Sequence, residues 1–316
     1  MSEYIFLLFF AKSLRFSLPR HHPNYCSKEM ESFPKITVVT PSYNQAQFLE
    51  QTILSVLGQG YPNLEYILMD GGSKDGSIDI IRKYSDHFAY WVSEKDNGQG
   101  AAINEGFRRA TGDILCWLNS DDLFMPGILH KIGAIFQKAE QPLIVFGNCL
   151  HFYERSSKAR GSDVYWDQEH LRLDLADYII QPSTFWNRSA WEKNGIIDES
   201  LHFVFDWEWF IRAQKNDIEF RPIKDYLSLY RFHDSHKTGS GGNKRSKELA
   251  EIYGRFHGDR LKKAFTRWDT MNNRSKAVHN VMYLANKYNV RLPIQLLKLI
   301  AFRELSFEEL MNISRM

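Results

Sequence analysis

From Ile36 onward the chain alternates short β-branched, apolar runs with segments whose apolar residues recur every three or four positions. Ile36-Thr37-Val38-Val39-Thr40 reads as a buried strand, Pro41-Ser42-Tyr43-Asn44 breaks it, and Phe48, Leu49, Ile53, Val56 and Leu57 share one helical face. Leu64 to Met69 predicts a second strand ending at Asp70, and GGSKDGS turns it into a helix carrying Ile78, Ile81 and Tyr84. Phe88 to Val92 predicts a third strand, Ala101 to Ala110 a helix, and Ile114 to Leu118 a fourth strand. Strands separated by helices of this length require right-handed crossovers. The expected class is therefore α/β, with a mostly parallel, Rossmann-like sheet covered on both faces.

In such sheets ligands bind beyond the carboxyl ends of the strands, where loops converge and helix N-termini offer free N–H groups. Four polar clusters fall there: Thr40 to Asn44, Asp70, Glu94 to Gly100, and Asn119-Ser120-Asp121-Asp122. The second half is less regular. It predicts a helix from Pro126 to Lys138, a strand from Leu143 to Phe146, sheet and helix elements around Gln181 to Phe185, a helix starting near Asp206, and a strand from Tyr226 to Phe232. After the glycine-rich stretch at 239–242, a linker by composition, the chain reads as helical and basic. The expected domains are a leader over 1–33, a main domain over 34–240 divided near 130, and a helical extension over 241–316.

Charge changes this picture in one respect. The chain carries +2 overall, but residues 34–240 sum to −7 and residues 241–316 to +8. An acidic main domain disfavours nucleic acid as a partner and leaves phosphate binding to a metal ion or local donors. Cys26, Cys116 and Cys149 show no metal spacing and suit a reducing, cytoplasmic setting. The apolar run from Tyr4 to Phe10 is too short to span a bilayer and reads as a poorly ordered leader or peripheral contact. In the tail, Arg260, Lys262, Lys263, Arg267, Arg274 and Lys276 lie among Phe256, Leu261, Phe265 and Trp268. That mixture fits either a solvated helical cap or contact with the inner, anionic face of a membrane.

The adjacent carboxylates Asp121 and Asp122 repel unless a cation or strong donors compensate. Hard oxygen ligands of this kind suit Mg²⁺ or Mn²⁺; a helix N-cap accounts for one of the two and leaves the other. Asp70 can accept from a nucleobase N–H beside the ring of Tyr43, or simply serve its turn. Asp96 and Gly98 occupy a turn that lets backbone approach a ligand. Neither a dinucleotide fingerprint nor a P-loop occurs in the chain.

TVVTPSYNQAQFLEQTILSVLGQ, YILMDGGSKDGS and EKDNGQGAAINEGFRRATGDILCWLNSDD together closely resemble the family 2 glycosyltransferases of the GT-A fold, strongly over 35 to about 130 and loosely to about 240. The resemblance implies a nucleotide-diphosphate-sugar substrate, with Thr40, Pro41, Tyr43, Asn44 and Asp70 near the base and Asp96, Gly98 and Asn104 lining the nucleotide pocket. It places Asp121 and Asp122 at the acidic motif that contacts ribose and Mn²⁺ or Mg²⁺, with Asn119 where many members carry another Asp. FDWEWFIR resembles the acceptor-site motif, with Phe205 in place of its usual Glu, and makes Asp206 the catalytic base. Asp206 also reads as a helix start, and Trp207 as core or as a platform for an acceptor sugar. Gln181 resembles the acceptor-loop position. Arg231, His233, Ser235 and Lys237 alternate along one extended face, and His233 resembles the histidine that approaches metal or diphosphate.

The implied activity is a metal-dependent, inverting glycosyltransferase of hexosyltransferase type, acting on a saccharide or lipid-linked acceptor in cell-surface polysaccharide or glycolipid synthesis. The alternatives are a non-catalytic sugar-nucleotide-binding protein and a nucleotidyltransferase. The latter expects a glycine-rich basic first loop, which Thr40-Pro41-Ser42-Tyr43-Asn44 is not.

Overall fold

The computed structural model describes residues 33–154, 156, 158–234, 237, 241–270 and 305–313. At its centre β1 (Ile36–Ser42) is buried along its whole length, as a strand covered on both faces must be. Val39 enters the core on one face, and Ile36 and Val38 enter a second core on the other. Parallel partners flank it: β2 (Leu64–Asp70) on one side and β4 (Ile114–Trp117) on the other. β3 (Tyr90–Ser93) extends the sheet beyond β2, also parallel. Strand order is β3-β2-β1-β4, then β8 (Thr184–Asn187), β6 (Leu143–Tyr153), β9 (Glu219–Phe232) and β5 (Leu123–Phe124), so the chain reverses its direction of travel across the sheet between β1 and β4. A crevice opens at such a point, beyond the strands' carboxyl ends.

Helix α1 (Ala46–Leu57) buries Phe48, Leu49, Ile53 and Val56, four of the five residues its spacing selects. α2 (Ser77–Lys83) follows β2, and α3 (Gln99–Arg109) lies against β1. Gly106 permits that approach, because an added Cβ would stand 2.5 Å from a Val39 methyl carbon. The third strand begins at Tyr90, not Phe88, since Phe88 packs edge-on to Tyr66 at 5.1 Å.

The second half is mixed in direction. β5 (Leu123–Phe124) and α4 (Ile128–Phe136) lead to β6 (Leu143–Tyr153), which runs seven residues past the predicted end. Register shifts at Gly147 and Asn148 allow β6 to continue with β9 (Glu219–Phe232) as a bulged parallel pair. β9 likewise starts seven residues before its predicted start; Pro222 fits because β9 hydrogen-bonds β6 there while β5 pairs only at Ser228 and Leu229. β7 (Ala159–Gly161) pairs with β6, α5 (Val164–His170) follows, and β8 (Thr184–Asn187) runs antiparallel between β4 and β6. α6 (Arg188–Asn194) and α7 (Phe205–Lys215) bury a tryptophan cluster against β4 and β8.

Of the expected linker, Gly241 and Gly242 begin α8 (Gly242–His257), and Gly239 and Ser240 lie outside the described residues. α8, α9 (Asp259–Thr270) and α10 (Phe307–Ile313) share one core with α7: Leu249, Tyr253, Leu261, Phe265 and Trp268 are buried in the cluster that holds Trp207. The apolar side chains Leu261, Phe265 and Trp268 therefore face protein and not a lipid surface, which corrects the membrane reading for the described helices. Arg260 pairs with Glu309 and Lys262 with Glu251, so part of the basic face is neutralised within the chain. Among the described residues no helix is long and apolar enough to cross a membrane. The leader run at Tyr4 to Phe10, Arg274 and Lys276 lie outside the described residues.

Candidate active site

At the carboxyl ends of β1, β2 and β3 the polar loops bind each other. Asp70, almost fully buried, accepts from the Gly72 and Ser73 N–H groups (3.2 and 2.9 Å) and from the Ser93 hydroxyl (2.6 Å) through one oxygen, and from the Ser73 hydroxyl (2.5 Å) through the other. Asn44, at φ +51°, donates its N–H to Ser73 Oγ (2.7 Å) and accepts from the Lys74 N–H (2.9 Å). Asp75 accepts from the Ala46 N–H (2.9 Å); burial works against its charge, but the Ser77 hydroxyl and backbone N–H groups hold its pKa below the usual range. Asp96 accepts from the Gly98 N–H (2.8 Å), which sits at φ +105°, and its carboxylate lies against Gly71. Tyr43 projects at the rim, 63% exposed.

Three residues expected in this pocket are elsewhere. Thr40 is fully buried with its hydroxyl 3.1 Å from that of Tyr66, and Pro41 is buried in the strand. Asn104 is buried too: its amide donates to Ile197 O (2.9 Å) and Glu199 Oε1 (2.8 Å) and accepts from the Ile197 N–H (3.0 Å). Its side chain fastens the loop after α6 onto α3 and has no polar atom left for a nucleotide, so the pocket-lining expectation is corrected for Asn104.

Beyond β4, the segment 119–122 is built differently. Arg231, on β9, is clamped between the rings of Phe48 and Phe152 at 4.7 and 4.8 Å. Its guanidinium donates to Asp121 O (3.0 Å) and Gln51 Oε1 (2.7 Å) and pairs with Glu154, while its backbone N–H reaches Asp122 Oδ1 at 3.2 Å. Asp122 is not a helix cap. It is 1% exposed, and burial first, then the neighbouring Asp121, push its pKa well above the usual carboxylate range. Asp121 is more open, with its Oδ2 3.1 Å from Nε2 of His233, whose ring packs on Phe48 at 4.5 Å. Period-two alternation along β9 brings Arg231 and His233 to the same segment.

Among the described residues no three His, Cys, Asp or Glu side chains converge as a metal cage. Asp121, Asp122 and His233 therefore do not form the three-donor set expected of them: Asp122 is drawn beneath the surface by β9. Asp121 and His233 do fit a divalent ion of the Mg²⁺ or Mn²⁺ kind, which takes one or two protein ligands and completes its shell with substrate phosphates and water.

Asn119 is the hub of the site. It donates to Asp122 Oδ2 and Gln181 Oε1, both at 3.3 Å, and accepts from Gln99 Nε2 at 2.8 Å. Gln99 in turn accepts from the Lys237 ammonium (2.7 Å), which lies over the Phe205 ring at 5.1 Å. Gln181 is buried, donating to Trp117 O at 2.7 Å, so its side chain positions the turn.

Asp206, in the first turn of α7, accepts from the Trp207 N–H (2.9 Å). Burial raises its pKa, against that N–H and the charge of Lys237. Burial also lowers Lys237 to about 8, while Asp206 and Glu248 work to raise it. Asp177 keeps an exposed surface, yet its pKa is raised well above the usual range by desolvation and then by Asp206. Trp207 is fully buried, and its indole N–H donates to Leu173 O at 2.7 Å. It offers no face to a sugar, which corrects the acceptor-platform reading in favour of core. Sequence reasoning gave no role to Gln99, although it lies in the EKDNGQG stretch, nor to Asp177, which no motif marks; each acts through a partner distant in the chain.

Three comparisons bear on this arrangement. The family model described as Glycosyl transferase family 2 matches residues 37–197. An uncharacterized glycosyltransferase of Mycobacterium tuberculosis is 41% identical over 248 residues, covering 75% of this chain and 92% of its own; one of Rickettsia typhi is 28% identical over 224 residues, covering 66% and 68%. Among solved structures, S. aureus TarS in complex with UDP-GlcNAc superposes with a TM-score of 0.53 at 16% identity, over 70% of this chain and 66% of that one. The mannosyltransferase PcManGT from Pyrobaculum calidifontis, in complex with GDP-Man and Mn²⁺, gives 0.53 at 18% identity, over 81% and 72%. At these identities the likeness is one of fold, and the fold is GT-A.

Proposed function

The chain belongs to glycosyl transferase family 2, and on that premise we propose that it moves a hexose from a nucleotide-diphosphate-sugar to an acceptor hydroxyl with inversion at the anomeric carbon. The observation that carries this reading is the hydrogen-bonded chain Lys237–Gln99–Asn119–Asp122, which runs from the ammonium whose charge acts on Asp206 to the acidic pair beside His233.

Each role follows from an environment already described. The nucleotide sits at the β1–β3 edge, with Tyr43 at the rim and Asn44, Asp70, Asp96 and Gly98 shaping the loops; Asp121 and His233 face the diphosphate. A divalent ion held there, Mn²⁺ or Mg²⁺, supplies positive charge to the departing diphosphate. Asp206 is kept basic by burial and takes the proton of the acceptor hydroxyl. The freed oxygen bonds to the anomeric carbon as the carbon–oxygen bond to the diphosphate breaks, and the electron pair leaves with the diphosphate. Gln181 and Asn119 hold the floor between the two sides. The acceptor is a saccharide or a lipid-linked saccharide, placing the reaction in cell-surface polysaccharide or glycolipid synthesis.

A panel of nucleotide sugars, each with and without Mn²⁺, tests this by thermal shift followed by a transfer assay. One nucleotide sugar should raise Tm only when Mn²⁺ is present, because binding to the native state adds to apparent stability. Binding without turnover on any acceptor would favour a non-catalytic binding protein.

A further inference from the structure

A second cleft of about 870 Å³ opens between α5 and the middle of β6 and β9, within the size range of ligand pockets. Two of the most exposed large rings on the described surface stand in it, Tyr165 and Tyr226, at 40% and 42% exposure. Trp166 forms a third aromatic wall. Exposed aromatic rings cost solvation free energy unless a partner uses them, and their gathering in one concavity is the feature to be explained.

The fold is shaped to hold these rings. A Cβ at Gly161 would overlap the Tyr226 hydroxyl, so only glycine lets that ring lie across β7. The bulge at Gly147 and Asn148 re-aims β9 at Tyr226. Asn148, buried, donates to Lys224 O (3.0 Å) and accepts from the Ser162 hydroxyl (3.2 Å) and the Val164 N–H (2.9 Å), fastening β9 and α5 to β6. Tyr165 donates to Pro222 O (2.9 Å), and Trp166 stacks on His170 at 4.4 Å. The walls are thus fixed in place.

The lining chemistry selects a ligand class. Asp163, Glu169 and Gln168 bring acceptors and an amide beside the rings. The cleft's one ammonium, Lys224, lies 5.3 Å from the Tyr165 centroid and is outnumbered by two carboxylates. Phosphates and acidic sugars are therefore disfavoured. A pyranose ring matches instead: its C–H faces pack on aromatic rings while its hydroxyls meet carboxylates and amides.

Position supplies the last element. Tyr226 and Arg231 are five residues apart on β9, about 17 Å along the strand. Between them Ser228 is capped by Ser183, hydroxyl to hydroxyl at 2.6 Å, so the Gln181–Ser183 turn separates this cleft from Asp121 and His233. We propose that the cleft binds a neutral oligosaccharide, the part of the acceptor remote from the reacting hydroxyl. The word acceptor rests on the transferase reading; the saccharide site itself does not.

The test is saturation-transfer NMR on the full chain without nucleotide, with mannotetraose and cellotetraose as neutral probes and tetragalacturonate as the anionic one. At least one neutral probe should bind and the anionic one should not. Tyr226→Ala and Tyr165→Ala should each weaken that binding about tenfold, Gly161→Ala should do the same by displacing Tyr226, and Tyr226→Phe should stay near wild type. All four should leave the Mn²⁺-dependent thermal shift by nucleotide sugar unchanged. Absence of neutral binding at millimolar concentration, or binding indifferent to Tyr226→Ala in a variant with native Tm, overturns the proposal. Neutral binding through Tyr226 in a chain that transfers no sugar keeps the cleft and overturns the transferase reading alone.

Discussion

The loops beyond β1, β2 and β3 treat their carboxylates in the opposite way to the segments that hold Asp122, Asp177 and Asp206. Asp70, Asp75 and Asp96 are bound by N–H and hydroxyl donors of their own turns, and those bonds hold the loops in shape. Asp122, Asp177 and Asp206 instead have raised pKa values, and desolvation is the largest cause for all three. Donors that stabilise a carboxylate's charge fix a scaffold, whereas desolvation that penalises the charge readies the group for a ligand or a proton. Under the proposed function the first set is framework and the second carries the chemistry.

The largest expected effect is at Asp206. Asp206→Asn should lower kcat by about 10²–10⁴-fold, the usual worth of a positioned base, without lowering Tm. The folded-state pKa lies above the unfolded one, so stability falls as pH rises from the unfolded toward the folded value, and the cost is complete only above the folded value. Removing the charge relieves it. In the wild type the acid limb of kcat/KM should lie above the ordinary carboxylate range, and a pH–rate profile reads this directly.

Arg231→Met comes next. It leaves Glu154 without its buried partner and frees Asp121 O, and should cost about 3 kcal/mol in urea unfolding. Metal-dependent nucleotide-sugar binding should weaken with it, because the same guanidinium holds the 119–122 segment. Asp70→Asn sharpens the comparison from the other side. Pointing an amide NH₂ at donors should cost about 1–3 kcal/mol of stability, while kcat per folded molecule changes far less than in Asp206→Asn. Gln99→Ala should be mildest, lowering kcat/KM about fivefold for a lost hydrogen bond of about 1 kcal/mol.

The framework was the more legible region. The patterns left by a strand covered on both faces and by an amphipathic helix gave β2 and the buried face of α1 closely, while β1 runs two residues past its expected end, through the Pro41 and Ser42 read as a break. β6 and β9 were each found only in part: the Gly147–Asn148 bulge breaks period-two alternation, and Pro222 looks like an end when it is an edge residue. The site divides in the same way. Asp121 with His233 was readable as motif plus alternation. The misplacement of Asn104 and Trp207 was not avoidable from spacing, because a motif position says which residue is present and not whether its side chain turns inward. Gln99 sat in a quoted motif without a role and Asp177 left no local mark; their roles arise from partners 20 or more residues away.

The comparison stands or falls on where a cation binds when nucleotide is present. Crystals soaked with Mn²⁺ and a nucleoside diphosphate, with diffraction collected at the manganese absorption edge, should show one anomalous peak within bonding distance of Asp121 and His233. A peak at the Asp70–Asp96 edge, or a bound nucleotide with no peak beside Asp121, would contradict the account.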